Sequence, residues 1–381
     1  MKKFTVMSVL SLNPRKLGSL EEYTISLSES LMAEGKKSII VFSNLPPKWL
    51  LEIFNKYNVE LYTWKYSRFS ISSALFLYRL AKKCQPDIIH FHFVELLSLP
   101  VAICAFLNTP IFLSEHISDT GIKRTFFKDI VVKIIRNLFS RLVSQFITPS
   151  NYVRDRLITK DWIPKRKVAV VYNGVNLKRF NPEKKPKVSI RDIYNIPSNA
   201  EIITTIAYAI PEKGIGDFVK AASIVYSAFA DVHFVHIGDG AYLKDYINLA
   251  NELGISDKIT FAGLVPEEIL DSTLNETFCF TLLSVWGEAF SLVILEAMAM
   301  GKPVISTNTG GTPEAVVDGE TGYIIPPNNP SELAKAILKM LNNKEDALKM
   351  GERGRRRGEE LYDVKIMVRK TLNLYTKQWK A

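Results

Sequence analysis

Short apolar runs rich in β-branched residues alternate with longer amphipathic segments along the whole chain. This alternation is typical of parallel β-sheets joined by crossover helices. The strand candidates are residues 4–10, 38–42, 88–93, 110–114, 146–148 and 168–171 in the first half, and 202–207, 232–237, 259–262, 278–283, 303–307 and 322–325 in the second. We therefore predict an α/β protein with two Rossmann-like, doubly wound domains of similar size.

A polar segment punctuated by prolines, residues 181–187, divides the two halves and reads as an interdomain linker. We expect one domain over residues 1–180 and a second over residues 188–360, with a closing helix over residues 361–381 that packs back on the first. The basic and then apolar start imitates a signal peptide but has no small-residue cleavage site, so it predicts a buried first strand. Residues 96–107 are too few to cross a bilayer, which needs roughly 20 residues, and we predict no transmembrane helix.

Charge is distributed unevenly along the 381 residues, whose formal net charge is +10. Residues 1–180 hold 27 Lys and Arg against 13 Asp and Glu, whereas the remainder holds 22 against 26. The basic half favours an anionic partner such as a phospholipid surface, a lipid-diphosphate acceptor or nucleic acid, and a merely soluble basic surface is the alternative. Within it, residues 122–142 resemble a basic amphipathic helix, which can contact a membrane or pack against the sheet. Three scattered cysteines fit a reducing cytosol.

The segment from Gly287 to Glu296 carries the most chemistry. It contains a loop after an apolar strand and then a helix-forming run that Gly301 and Pro303 end. Unpaired N–H groups near the helix start, from about Ala289 onward, suit a diphosphate. Carboxylates in the loop and two turns into the helix suit sugar and ribose hydroxyls. The eight-residue spacing of the two glutamates is unspecific by itself, because four other glutamate pairs in the chain share it.

The whole string over residues 286–303 resembles the signature of the retaining glycosyltransferases of group 1 (family 4), which have the GT-B fold. Residues 212–214 are similar to the family's "EKG" motif, residues 172–176 to its "NGV" segment, and residues 310–314 and 318–322 to its C-terminal motif. Residues 86–90 resemble its "PDxxH" strand and residues 18–21 its "GGxE" turn. The resemblance implies a deep interdomain cleft, with the acceptor on the first domain and the nucleotide sugar on the second.

The resemblance also implies roles for single residues. Glu288 contacts the donor sugar, Glu296 contacts the ribose, and Lys213 neutralises the diphosphate leaving group, where negative charge builds as the glycosidic bond breaks. The predicted catalytic residues are His116, Glu288 and Lys213; the predicted donor-binding residues are Gly18, Ser19, Gly287, Ala289, Phe290, Ser291, Leu292, Glu296, Gly238 and Val265. Tyr208 stands where family members often carry a second cation, an arginine.

These features predict a retaining, metal-independent transferase that moves a hexose-type sugar to a cell-envelope glycan or lipid-linked acceptor. No Asp-x-Asp pair exists in the chain, so we expect no metal and no cofactor beyond the nucleotide-sugar substrate. A sugar-nucleotide epimerase and a non-catalytic donor-binding relative are the alternatives. We expect a cytoplasmic protein, peripheral on the inner membrane face, and no nucleic-acid partner. His90, His92, His233 and His236 are interpreted as packing or capping residues.

Overall fold

The computed structural model describes residues 4–14, 17–116 and 125–379. The chain forms two compact units, of which the first comprises residues 1–174 and 364–381 and the second residues 175–363. Both are built around parallel sheets, so the predicted α/β class and the pair of doubly wound domains are confirmed.

The first unit contains a seven-stranded sheet in the order β3-β2-β1-β4-β5-β6-β7, in which every pair is parallel. Its strands are β1 (Thr5–Leu10), β2 (Lys37–Phe42), β3 (Glu60–Thr63), β4 (Ile88–His92), β5 (Ile111–Ser114), β6 (Gln145–Thr148) and β7 (Val168–Val170). β3 is the strand that the hydrophobic pattern did not predict. It is a four-residue edge strand with no fully buried residue, and so it has no continuous apolar run.

Helices cover this sheet, and the last helix of the chain is one of them. They are α1 (Ser19–Ala33), α2 (Lys48–Lys56), α3 (Ile71–Cys84), α4 (Leu99–Cys104), α5 (Phe126–Phe139), α6 (Asn151–Thr159) and α15 (Val364–Trp379). Val368 and Tyr375 of α15 pack in one buried cluster with Tyr23 and Leu27 of α1. The apolar stripe of α15 therefore completes the core of the first unit. The predicted helix segment at 122–124 and residues 380 and 381 lie outside the described residues.

The second unit contains a six-stranded parallel sheet in the order β10-β9-β8-β11-β12-β13. Its strands are β8 (Glu201–Ile206), β9 (Val232–Ile237), β10 (Ile259–Gly263), β11 (Cys279–Leu282), β12 (Val304–Thr307) and β13 (Gly322–Ile325). Its helices are α7 (Ile190–Tyr194), α8 (Ile215–Ala228), α9 (Leu243–Glu252), α10 (Glu267–Glu276), α11 (Leu292–Ala299), α12 (Thr312–Ala315), α13 (Pro330–Asn342) and α14 (Lys344–Leu361). All six strands overlap those expected from the sequence.

Each sheet has one point where the chain reverses the direction in which it adds strands. In the first unit this switch point lies between β1 and β4, and in the second between β8 and β11. The crossovers leave on opposite sides there, so a crevice opens outside the carboxyl ends of the two strands, where open α/β sheets bind ligands. We therefore expect functional residues in the loops that follow these four strands.

The chain enters the second unit before the proline-punctuated segment. Val175 N donates to Tyr362 O over 2.8 Å, and Phe180 is buried in the second unit. Arg179 forms two hydrogen bonds with the Asp271 carboxylate of α10, at 3.1 and 2.9 Å. The unit boundary thus falls between residues 174 and 175, whereas the sequence led us to expect it near 180–187. The polar segment that follows also contacts α10, because Asn275 Nδ2 donates to Lys184 O over 3.1 Å, and the composition of the segment alone does not show this contact.

Candidate functional site

Lys213 and Glu288 meet at the β8/β11 switch point. Lys213 ends a single 3₁₀ turn in the loop after β8, and Glu288 lies in the loop after β11. Lys213 Nζ lies 2.5 Å from Glu288 Oε1, and the two side chains are only 17% and 15% exposed. The ammonium also lies 5.5 Å from the centre of the Trp286 ring. Two of the three predicted catalytic side chains therefore form a largely buried ion pair.

Two glycines allow these loops to approach each other. Gly214 follows Lys213 with φ +69°, and a Cβ there would lie 2.2 Å from Leu283 O. Gly310 has φ +60°, and a Cβ there would lie 2.1 Å from Glu288 O, which itself accepts from Gly311 N over 2.7 Å. No side chain fits at either place, since the neighbouring atoms are backbone. The glycines of two predicted motifs thus set the positions of Lys213 and Glu288.

Ser284 holds the Glu288 carboxylate from the protein interior. This serine is fully buried, and its Oγ donates to Glu288 Oε1, the same oxygen that Lys213 contacts. Its own carbonyl accepts from Thr307 Oγ1 over 2.6 Å and from Thr309 Oγ1 over 3.1 Å. Nothing in the sequence marked Ser284, because a serine at the end of a buried strand has many possible uses. Ser284 lies just before the motif string of residues 286–303, and only its contact with Glu288 reveals its role.

The helix that follows begins later than the sequence predicted. α11 starts at Leu292 with Ser291 as its N-cap residue, so the orphan N–H groups at its start are those of residues 291–294 rather than those from Ala289 onward. The Phe290 side chain is buried against Tyr362, with ring centroids 5.4 Å apart, so its ring packs inside the second unit. Glu296 lies within α11 and is half-buried. Gly287 and Ala289 are half-buried in the preceding loop.

A second tight turn follows β9 on the other side of β8. Gly238 has φ +145°, and a Cβ there would lie 1.9 Å from Ala207 O. Ala209 N donates to Asp239 O over 3.0 Å, so the turn is fastened to the loop that carries Tyr208. The Tyr208 side chain is 66% exposed. Val265 lies farther along the sheet edge, after β10, and packs against a small apolar cluster.

At the switch point of the first unit, the loop after β1 leads into α1. Gly18 is the N-cap residue of α1, and Ser19 is its first helical residue. Gly18 N donates to the Glu21 carboxylate over 3.1 Å, which satisfies one of the orphan donors at the helix start. Both predicted donor-binding residues therefore lie at the carboxyl end of β1, and both are half-buried.

Three histidines lie together at the ends of β4 and β5. His92 Nδ1 is 3.3 Å from His116 Nε2, and the Phe93 ring stacks on His116 with centroids 4.4 Å apart. His90 is 3.9 Å from His92, centroid to centroid, and contacts Tyr375 Oη at 2.5 Å and Ser114 Oγ at 2.8 Å. Residues 90 and 92 share one face of β4 because side chains alternate along a strand.

These histidines are neutral over the whole physiological range. Desolvation lowers the pKa of His90 to about 3 and that of His116 to about 4. Burial is the main cause that holds the pKa of His92 well below its usual value, and repulsion from a proton on His90 or His116 would lower it further. A neutral imidazole has one N–H donor and one acceptor nitrogen, so the cluster can orient hydrogen bonds without carrying charge.

Known protein families match both halves of the chain. The family described as "Glycosyl transferases group 1" matches residues 186–357, and the family described as "Glycosyltransferase Family 4" matches residues 20–179. The chain belongs to the group 1 glycosyltransferases. The resemblance read from the sequence is therefore confirmed.

Two relatives and one solved structure illustrate the range of this glycosyltransferase family. The chain is 28% identical over 212 residues to the GDP-mannose-dependent alpha-(1-6)-phosphatidylinositol monomannoside mannosyltransferase of Mycobacterium tuberculosis, covering 54% of each chain. It is 28% identical to N-acetyl-alpha-D-glucosaminyl L-malate synthase of Bacillus anthracis, covering 81% of this chain and 79% of that protein. HepE of Anabaena in complex with UDP has the same fold, with a TM-score of 0.80 at 16% identity and coverage of 98% and 100%. The chain spans 54% to 65% of the length of the first relatives it matches.

Several other side chains of this glycosyltransferase are structural. Arg355 NH1 donates to Phe180 O over 2.7 Å and also to Ala299 O, while Arg357 donates to Glu314 O and Ala315 O. Arg355 and Arg357 of α14 thus cap carbonyl groups, a use that cannot be read from their charges alone. His233 and His236 bond to Thr260 Oγ1 and Ala207 O, as expected for packing residues.

Within residues 4–14, 17–116 and 125–379, no three His, Cys, Asp or Glu side chains are grouped so that they could hold a metal ion. Over the same ranges, no helix has both the length and the apolar character needed to cross a bilayer.

Proposed function

We propose that the chain transfers a sugar from a nucleotide-diphosphate donor to an acceptor. The observation that carries this proposal is the Lys213–Glu288 pair at the β8/β11 switch point, next to the start of α11. A cation, a row of helix N–H groups and a carboxylate acceptor are what a diphosphate followed by a polyhydroxylated sugar requires.

In this proposal Lys213 neutralises the leaving diphosphate, Glu288 accepts from sugar hydroxyls and Glu296 accepts from the ribose. Main-chain N–H groups at Ser291 and Leu292 contact the phosphates, and His116 assists at the sugar. By resemblance to the family the transfer is retaining, and the cation needed at the diphosphate is Lys213 rather than a metal ion. The names of the relatives point to GDP-mannose and UDP-sugars as the first donors to test.

The test measures release of nucleoside diphosphate from UDP-glucose, UDP-N-acetylglucosamine and GDP-mannose, with and without a lipid extract as acceptor. We expect release that requires an acceptor and is abolished in Lys213→Met and Glu288→Gln. Lys220→Met, which neutralises an exposed lysine of α8, is the matched control and should stay active. Conversion of donor without acceptor would instead identify an epimerase, and binding without turnover would identify a non-catalytic relative.

A second part of the proposal concerns α5, whose apolar side faces outward. None of its residues is buried, and the exposed apolar side chains are Phe126, Phe127, Val131, Ile134, Ile135 and Leu138. On the other side, Arg136 forms ion pairs with Asp161 at 3.3 Å and Glu115 at 3.8 Å. The polar side of this amphipathic helix therefore faces the protein, and none of the described residues buries its apolar side.

Basic residues adjoin this apolar stripe. Lys128 lies exposed on α5, and Arg141, Lys165 and Arg166 are exposed beyond its carboxyl end. That end is fixed by Lys167 Nζ, which donates to Ser140 O and Val143 O, both over 2.7 Å. Exposed Trp162 borders the same helix, since Asn137 Nδ2 donates to its carbonyl over 2.7 Å. An apolar stripe with an aromatic and a basic rim suits the interface of an anionic bilayer.

We propose that α5 places the enzyme on the cytoplasmic, anionic membrane face, where a lipid-linked or cell-envelope acceptor is found. The test is flotation with phosphatidylcholine vesicles that contain or lack phosphatidylglycerol. The double variant Ile134→Asp/Leu138→Asp should weaken binding by about 100-fold or more, because two apolar side chains no longer enter the interface. Ile224→Asp on exposed α8 is the control. Vesicle-independent, concentration-dependent dimerisation lost in the double variant would show that a second copy covers α5 instead.

A further inference from the structure

The Lys213–Glu288 contact has a consequence for what the site binds. Each side chain is mostly buried and is the counter-ion of the other, with Nζ and Oε1 2.5 Å apart. A nucleoside diphosphate brings two or more negative charges to the same ammonium. The phosphate and the Glu288 carboxylate therefore compete for Lys213, and they repel each other across the few ångströms between them.

The two partners of Glu288 differ in how firmly they are held. Ser284 is fully buried, and its main chain is fastened by the hydroxyls of Thr307 and Thr309. Lys213 has a long, flexible side chain that also reaches the Trp286 ring. If the ammonium turns toward a phosphate, the Ser284 hydroxyl remains on the carboxylate and keeps it in position. Glu288 then lacks the interaction that the Lys213 ammonium supplied, and another donor must replace it.

Only a ligand with a sugar supplies that donor. The hydroxyls of a nucleotide sugar can donate to the free side of the carboxylate, which is acceptor-only when ionised. A bare nucleoside diphosphate has no group there, and it meets a carboxylate that has lost its counter-ion. The Lys213–Glu288 pair therefore favours binding of the sugar nucleotide, which is the substrate, over binding of the nucleoside diphosphate, which is the product.

We propose that Glu288 is an internal counter-ion of Lys213 that selects sugar nucleotides over free nucleoside diphosphates, with Ser284 as its positioning residue. This inference rests on the proposed function and deepens it, since it assigns to the ion pair the discrimination between donor and spent product. The pair lowers the affinity for the product, so it favours product release after transfer.

The test compares dissociation constants by calorimetry for UDP, GDP, UDP-glucose and GDP-mannose. In Glu288→Gln, whose side chain has the same shape but no charge, we expect about tenfold tighter binding of the nucleoside diphosphate, the equivalent of about 1.4 kcal/mol. The preference for the sugar nucleotide should disappear in the same variant. Unchanged or weaker binding of both UDP and GDP by Glu288→Gln would overturn the proposal.

Two further variants separate the pair from general electrostatics. Glu212→Gln removes the same charge one residue before Lys213 without touching the pair, and it should change nucleoside diphosphate affinity by less than about twofold. Ser284→Ala should weaken sugar-nucleotide binding severalfold and leave nucleoside diphosphate binding unchanged. An equal gain in Glu212→Gln and Glu288→Gln would reduce the effect to net charge and reject the proposal.

The same measurements distinguish a failure of this inference from a failure of the proposed function. If Lys213→Met binds UDP and GDP as the parent protein does, Lys213 does not contact a diphosphate and the proposed site assignment is wrong. If Lys213→Met loses binding while Glu288→Gln gains none, the site assignment stands and the counter-ion role is rejected.

Discussion

At the β8/β11 switch point, the clustered side chains carry opposite charges and neutralise each other, whereas at the β1/β4 switch point the clustered side chains are neutral and stacked. Lys213 and Glu288 form an ion pair, while His92 and His116 share one hydrogen bond in a cluster that desolvation keeps uncharged. Both sites use the same topological position. The fold therefore supplies two crevices, and the local residues decide whether each presents charge or neutral hydrogen-bonding groups.

The difference lies in how the two sites are held in place. The charged site depends on loops that approach within backbone contact at Gly214 and Gly310. The neutral site depends on His90 and His92 of β4, a strand whose every residue is buried, and on His116, which follows β5. We expect one methyl group added at either glycine to displace the loops of the charged site. We expect the neutral site to change when a histidine is substituted.

The largest expected effect comes from Gly310→Ala. Its Cβ would lie 2.1 Å from Glu288 O, so the Glu288 loop must move and donor binding should fall about 100-fold or more. Gly319→Ala is the matched control: that glycine has φ +75°, but its added Cβ would meet nothing within 4 Å. It should cost about 1 kcal/mol of stability and leave binding intact. Equal binding losses in both variants would mean that backbone strain, rather than the clash, disturbs the site.

The second effect concerns acid stability of the first unit. The pKa of His90 is about 3 in the folded protein and about 6.5 when unfolded, so the unfolded state binds more protons between these values. The free energy of unfolding therefore falls as pH drops below about 6.5, by roughly 1.4 kcal/mol per pH unit for this histidine. Urea unfolding of His90→Gln at pH 7 and pH 5 should show a pH difference smaller by about 2 kcal/mol.

Tyr375→Phe is the control for this measurement. It removes the hydroxyl that contacts His90 Nδ1 and adds no group that titrates between pH 5 and 7. We expect lower stability at both pH values and an unchanged difference between them. A pH difference in His90→Gln as large as in the parent protein would place the acid sensitivity elsewhere.

Most of the fold was accessible from the sequence because its central strands are buried apolar runs. β9, a central strand whose every residue is buried, was predicted to the residue. β13 was also predicted to the residue, although it lies at the edge of its sheet and is only partly buried. β3 was missed because an exposed edge strand needs no such run. The unit boundary was displaced because the Arg179–Asp271 contact joins residues 92 apart, and no local pattern encodes it.

The charged site was more predictable than the neutral one for a related reason. Its residues belong to the contiguous string over residues 286–303 and to a short Glu-Lys-Gly motif. Both can be recognised as local patterns in the sequence. His92 was interpreted as a packing residue, yet it contacts His116 from 24 positions away. Likewise, the buried hydroxyl of Ser284 became informative only when its distance to Glu288 was known. Contacts across the sheet need the register of strands, which a single sequence does not contain.

A third, smaller effect tests whether His92 positions His116. Asparagine places an amide donor near the position of Nδ1, so His92→Asn should stay within about threefold of the parent rate. Phenylalanine keeps the ring and removes the hydrogen bond, and His92→Phe should lower kcat about tenfold with KM nearly unchanged. Parallel losses in both variants, or a change confined to KM, would contradict positioning through this hydrogen bond.

The smallest expected effect is a gain at Tyr208, which stands where relatives often have an arginine. Its side chain is 66% exposed, on the loop after β8 that also leads to Lys213. Tyr208→Arg adds a second cation at a solvent-screened position, so nucleoside diphosphate affinity should rise by no more than about fivefold. Ile224→Arg adds the same charge on exposed α8 and should change nothing beyond about 1.5-fold. The gain should shrink with added salt, because an exposed charge acts through solvent. A loss of affinity in Tyr208→Arg would instead mean that the tyrosine ring itself contacts the ligand, and the charged site would then depend on Lys213 and stacking rather than on two cations.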